Sequence, residues 1–158
     1  MIARISQGRK AWVTLASAGA SLVLAVGLLA GCTSPTKSIG LTNEGIMLQQ
    51  KDDLDGAILK YREALKANPN DDQAHLGLGS ALQKKGDTDG AIASYQQALA
   101  LKPDLSGARL GLGYMLYSKG DRAGAIRELN AYLQNPPAGE DETRHKVEQD
   151  IKKLEAAR

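Results

Sequence analysis

Phenylalanine is absent from this 158-residue chain, tryptophan occurs once, at position 12, and cysteine once, at position 32. Any core must therefore be built from Leu, Ile, Ala and the five Tyr. A lone cysteine excludes an internal disulfide. The only histidines, His75 and His145, are far apart and neither has a cysteine beside it, so metal-site spacing is missing. Charge of one sign is equally scarce. The formal net charge is +2, but Arg4, Arg9 and Lys10 fall in the first ten residues, and without them the 18 acidic residues balance the basic ones. The basic stripe of a nucleic-acid binder is not there. Catalytic patterns are missing too. Gly40 and Gly45 have the glycine spacing of a phosphate loop without the Lys-Ser/Thr that must follow. The Gly-Leu-Gly runs at 77–79 and 111–113 lack the third glycine of a dinucleotide fingerprint. No serine has a plausible His–Asp arrangement. The expectation is a chain with no catalytic residue, no metal and no cofactor.

What is present begins with a charge-free stretch from Ala11 to Thr36, preceded by the three basic residues. A basic start, an apolar run from Trp12 to Leu29 and small residues at its end describe a secretory signal over residues 1–31. About 20 apolar residues could also span a bilayer as an uncleaved helix. The closing residues Leu29-Ala30-Gly31-Cys32 favour the first reading, because they resemble the lipobox of bacterial lipoproteins. That resemblance implies cleavage before Cys32 and a covalent lipid on its thiol. Two or more acyl chains hold a protein stably on a membrane, at about 0.8 kcal/mol per buried CH₂. Thr33 follows the cysteine, where an Asp often retains Gram-negative lipoproteins in the inner membrane. For a Gram-negative source the resemblance therefore implies the periplasmic face of the outer membrane.

The remainder repeats with a period of 34. Pro69, Pro103 and Pro137 are spaced by it, as are Gly45, Gly79 and Gly113. So are Asp53, Asp87 and Asp121; Gly56, Gly90 and Gly124; Ala57, Ala91 and Ala125; Ile58, Ile92 and Ile126; and Leu65, Leu99 and Leu133. The register defines units 38–71, 72–105 and 106–139 after a linker at 32–37. Each unit reads as two helices. In the middle unit the first runs through Leu76, Leu78 and Leu82 and closes at Gly86, which is free to turn left-handed. Asp87 caps the second, whose Ala91, Ile92, Tyr95, Ala98 and Leu99 share one face. Pro103 stops it. The tail, 140–158, places Val147, Ile151 and Leu154 on one face and reads as a helix covering the open end of the stack. As a coiled-coil partner helix it has too few apolar positions.

These units resemble tetratricopeptide repeats. The resemblance rests on small residues where two helices touch (Gly79, Ala91, Ala98) and on a large aromatic between them, Tyr61 and Tyr95. The third unit exchanges sizes, with Leu129 at the aromatic position and Tyr132 at the following small one. The family's early Trp is replaced by Leu41, His75 and Arg109, and Glu44 stands where Leu78 and Leu112 recur. The implied fold is all-α: a solenoid of three 34-residue helix-turn-helix repeats plus a C-terminal capping helix.

The resemblance also implies a concave groove lined by the first helix of each unit. Carried onto this chain, its groove positions are Ile39, Thr42, Asn43, Ile46, Gln49 and Gln50 in the first unit. In the second they are Gln73, Leu76, Gly77, Ser80, Gln83 and Lys84. The third supplies Gly107, Leu110, Gly111, Tyr114, Tyr117 and Ser118. The Lys/Arg/Asn clamp by which some family members hold a C-terminal carboxylate is missing. Gly77 and Gly111 read either as tight helix packing or as bare backbone that a partner approaches closely. Leu76, Leu110, Tyr114 and Tyr117 are the expected hot spot for a protein segment, with contact to the terminal helix the competing reading for the two tyrosines. The expected partners are proteins in the groove and a membrane through the lipid, with no nucleic acid or metal. The family context suggests an envelope scaffold in pilus or secretion assembly, an adaptor for cell-wall enzymes, or a self-associating subunit.

Overall fold

The computed structural model describes residues 35–156, and every described residue outside the turns is helical. The helices are α1 (Pro35–Gln50), α2 (Leu54–Ala67), α3 (Asp72–Lys85), α4 (Thr88–Leu101), α5 (Ser106–Ser118), α6 (Arg122–Gln134) and α7 (Asp141–Ala156). They pack as three antiparallel pairs, α1/α2, α3/α4 and α5/α6, with α7 laid against α6. Successive pairs also touch through their first helices, α1 to α3 and α3 to α5. The backbone of α7 stands away from α5. Among the described residues no helix is long and apolar enough to cross a membrane.

The repeated columns explain the turns. Asp53, Asp87 and Asp121 each accept a hydrogen bond from the backbone N–H of Gly56, Gly90 or Gly124, at 2.9, 2.9 and 2.8 Å. Each cap satisfies an otherwise orphaned donor and contributes about 1 kcal/mol. At each of these glycines a Cβ would come within 2.6 Å of the capping carboxylate, which would have to shift. Gly86 and Gly120 close the first helices at φ 83° and 87°, and Asp52 holds the same place in the first repeat at φ 61°. At the early-Trp position, His75 Nε2 lies 3.0 Å from the Pro69 carbonyl. Arg109 donates to the Pro103 carbonyl at 2.7 and 3.1 Å and to Glu128 at 3.2 Å. Polar side chains thus tie down the turn between repeats where an indole would pack.

Within the described residues α1 includes Pro35 to Lys37, which were expected as linker. Glu44, in place of the recurring Leu, is exposed and pairs with Lys60 at 2.9 Å. Two apolar clusters hold the stack. The larger contains Ile58, Tyr61, Leu78, Leu82, Ile92, Tyr95 and Leu112 among buried alanines. The smaller contains Leu129, Tyr132, Val147, Ile151 and Leu154, and half-buried Leu116 touches both.

Candidate concave groove

The first helices α1, α3 and α5 line one face of the stack, and a groove of about 440 Å³ runs along it. Ile46, Gln49 and Gln50 come from α1; Gln73, Leu76, Gly77, Ser80 and Lys84 from α3; Gly107 from α5; and Tyr61 and Tyr95 reach in from the second helices. A second hollow of about 410 Å³ shares Ile46 and Gln73 with it and extends past Ile39 and Asn43 to the α2–α3 turn. Together they give an apolar strip flanked by carboxamides, with Lys84 in the first hollow and Asp72 in the second. Ile39 and Ile46 are exposed, at 58% and 41%. Amide groups both donate and accept, so these carboxamides suit a segment presenting its backbone. Among the described residues no group of three His, Cys, Asp or Glu side chains converges.

Several positions assigned to the groove have structural duties. The Tyr61 hydroxyl donates to Gln49 Oε1 at 3.0 Å, and Gln49 Nε2 donates to Ser80 Oγ at 2.9 Å. Tyr95 repeats the arrangement one unit on, donating to Gln83 Oε1 at 2.7 Å. Burial pushes the Tyr95 hydroxyl up to about 12, against the opposing hydrogen bond from Ser80, and burial raises Tyr61 as well. Thr42 is buried, its hydroxyl donating to Asp71 at 3.0 Å.

Gly77 and Gly111 are both taken up by packing against a tyrosine ring; Gly111 is buried, while Gly77 also lines the groove. A Cβ on Gly77 would lie 2.5 Å from the Tyr61 ring, and one on Gly111 would fall even closer to Tyr95. The same tyrosines press on Gly45 and Gly79 within their own units, at 2.7 and 2.8 Å from a Cβ. Each ring is therefore clasped between two glycines, one per repeat. The chain's own side chain occupies the depth that the bare-backbone reading gave to a partner.

The expected hot spot divides. Leu76 lines the groove, half-buried. Leu110 instead packs with the cluster around Leu129 and Val147. Tyr114 turns to the terminal helix and donates to Asp150 at 3.1 Å, and burial followed by that carboxylate raises its hydroxyl to about 12. Tyr117 stays 55% exposed and, with Tyr114, lines a separate pocket. Cys32 lies outside the described residues.

Sequence reasoning missed Asp71. Its carboxylate caps α3 through Ala74 N at 2.9 Å and accepts the hydroxyls of Ser38 and Thr42, all buried. The units read as independent motifs gave no hint, since Leu105 and Gly139 hold the equivalent places.

The tetratricopeptide repeat model matches residues 42–106 and 79–140. Among solved structures, the TPR2B domain of yeast Sti1 in a pHsp70 complex is similar at TM-score 0.69 and 22% identity, over 78% of this chain and 99% of that one. The type III secretion chaperone SycD of Yersinia enterocolitica, in complex with a peptide of the translocator YopD, gives 0.68 and 19%, over 74% and 91%. The first such domain of human RPAP3 gives 0.67 and 18%, over 79% and 100%. A search of curated proteins found no match.

Proposed function

Because this chain belongs to the tetratricopeptide repeat family, we propose that it is a non-catalytic scaffold, lipid-anchored at Cys32 on the periplasmic face of a bacterial outer membrane, that holds a segment of a partner protein in its concave groove. The observation that carries the binding role is the strip over α1 and α3, apolar at Ile39, Ile46 and Leu76 and flanked by amides. Its amides favour an extended segment that presents its backbone. The relatives support a peptide ligand: the yeast domain is in a pHsp70 complex and the Yersinia chaperone carries a translocator peptide. Pilus or secretion assembly is the role we assign. The anchor rests on Leu29-Ala30-Gly31-Cys32 and on the basic and apolar residues before it. Only Thr33 to Lys37 separate Cys32 from the first repeat in the sequence, which supports a stack held close to the bilayer.

A photo-crosslinking residue at Leu76, in intact cells, should trap a discrete partner, whereas one at Leu59 on α2, 59% exposed, should not. Equal products from both positions would defeat the groove assignment. In parallel, Cys32→Ser should lose fatty-acid labelling, and retained labelling would remove the anchor while leaving the groove reading standing.

A further inference from the structure

Two of the three junctions in the stack are closed by a tyrosine. Tyr95 sits against Gly79, reaches Gly111 of the next repeat, and places its hydroxyl between the residues at positions 9 and 12 of its own repeat, Ser80 and Gln83. At the third junction the equivalents are Leu129, Tyr114 and Tyr117. Leu129 fills the near side, against Gly113, and ends there. A pocket of about 370 Å³ opens beyond it, with Tyr114 and Tyr117 as walls and Leu154 of α7 opposite. The volume falls in the range of about 300–1,000 Å³ typical of ligand pockets. Where the chain twice sets an aromatic ring it here sets Leu129, the ring having moved to buried Tyr132, and the space between Tyr114 and Tyr117 is open.

The mouth is positive. Arg122 and Lys153 stand there with one acid, Asp150. Asp150 is already engaged by the Tyr114 hydroxyl and by Lys153 at 3.4 Å. Arg122 makes no ion pair among the described residues. A guest that completes the repeat pattern is thus a planar ring with negative charge beside it.

We propose that this pocket is a second docking site, distinct from the concave groove, and that it receives an aromatic side chain of a partner protein segment flanked by acidic residues. The ring lies between Tyr114 and Tyr117 over Leu129, and the flanking carboxylates meet Arg122 and Lys153. The site depends neither on the lipid anchor nor on the occupant of the groove.

The test is a two-dimensional NMR titration of the full chain in detergent micelles with a blocked pentapeptide carrying one tyrosine between two glutamates. Saturable shifts are expected at Tyr117, Arg122 and Lys153. Leucine in place of the peptide's tyrosine should weaken binding roughly tenfold, given the worth of an aromatic pair. Arg122→Glu should weaken it several-fold, with the loss shrinking at high salt. Leu129→Tyr fills the slot from within and should abolish the shifts without lowering the thermal midpoint. Should that variant unfold, Tyr117→Ala must abolish them instead. The proposal is overturned if the peptide gives no saturable shift, if the shifts gather around Leu76 and Gln73, or if the leucine peptide binds equally well.

Discussion

The junctions between repeats are made in two ways. Between the first and second repeats, and between the second and third, a tyrosine ring is clasped by glycines from both units and its hydroxyl is held by a glutamine. Between the third repeat and the terminal helix there is a glycine on one side only, and leucine replaces the ring. The tyrosines there, Tyr114 and Tyr132, donate to carboxylates, Asp150 and Glu140. Glycine pairs let backbones approach closely around a flat ring. Without the second glycine the terminal helix stands off, and a pocket remains. The first two junctions are closed by neutral groups. The last is a smaller contact whose hydrogen bonds carry charge.

The largest effect should come from breaking a clasp. Gly111→Ala thrusts a methyl into the Tyr95 ring, which Gly79 blocks from retreating. We expect a loss of about 2 kcal/mol, in the usual range of about 1–3 kcal/mol for overpacking, read by urea denaturation. Gly107→Ala is the control: its nearest neighbour is a Leu76 methyl at 3.8 Å. It should be neutral or stabilise by up to about 1 kcal/mol through helix propensity. Equal losses would mean that the glycines do not set the spacing.

Alkali should separate the two kinds of junction. An unfolded tyrosine titrates at 10.0, while Tyr95, Tyr114 and Tyr132 are held at about 12 by burial, the last two also by their carboxylates. The folded chain keeps its protons longer. The stability this contributes is therefore complete below pH 10 and is lost as the pH rises towards 12. Asp150→Asn and Glu140→Gln should each soften that loss by no more than about 1 kcal/mol, because a tenfold change in an acid constant corresponds to about 1.4 kcal/mol and solvent screens both pairs. Gln83→Glu should steepen it, by giving Tyr95 the charged acceptor it now lacks. Thermal melts across pH 8–12 read all three.

The smallest effect concerns the surface. Lys119 pairs with Asp89 at 2.6 Å, and Lys85 pairs with Asp55 one period earlier, all of them largely exposed. Lys119→Ala should shift stability by no more than about 0.5 kcal/mol, and less in high salt. A larger change would mean that ion pairs, and not the clasped rings, join the repeats.

The helix pairs, their caps and the terminal helix were legible because each depends on residues close in sequence. Asp87, three residues before Gly90, announces a cap wherever it occurs, and Gly86 announces a left-handed stop. The groove was legible only as a set of positions. Gln49 and Gln83 recur at the same spacing as Tyr61 and Tyr95, so the hydrogen-bonded pairs were present in the columns, but nothing in the periodicity says that a glutamine faces a tyrosine. Asp71 left no repeated signal, because a single repeat carries it.

The sequence alone settled that this chain is a stack of helix pairs with a period of 34, since apolar spacing, caps and stops act within a turn or two. Only the tertiary structure decided what fills the space above each glycine, which groove residues are already bonded, and where a slot stays empty. Periodicity fixes which face of a helix is buried. The offset between neighbouring repeats, set by the summed packing of the whole stack, fixes what lies against that face.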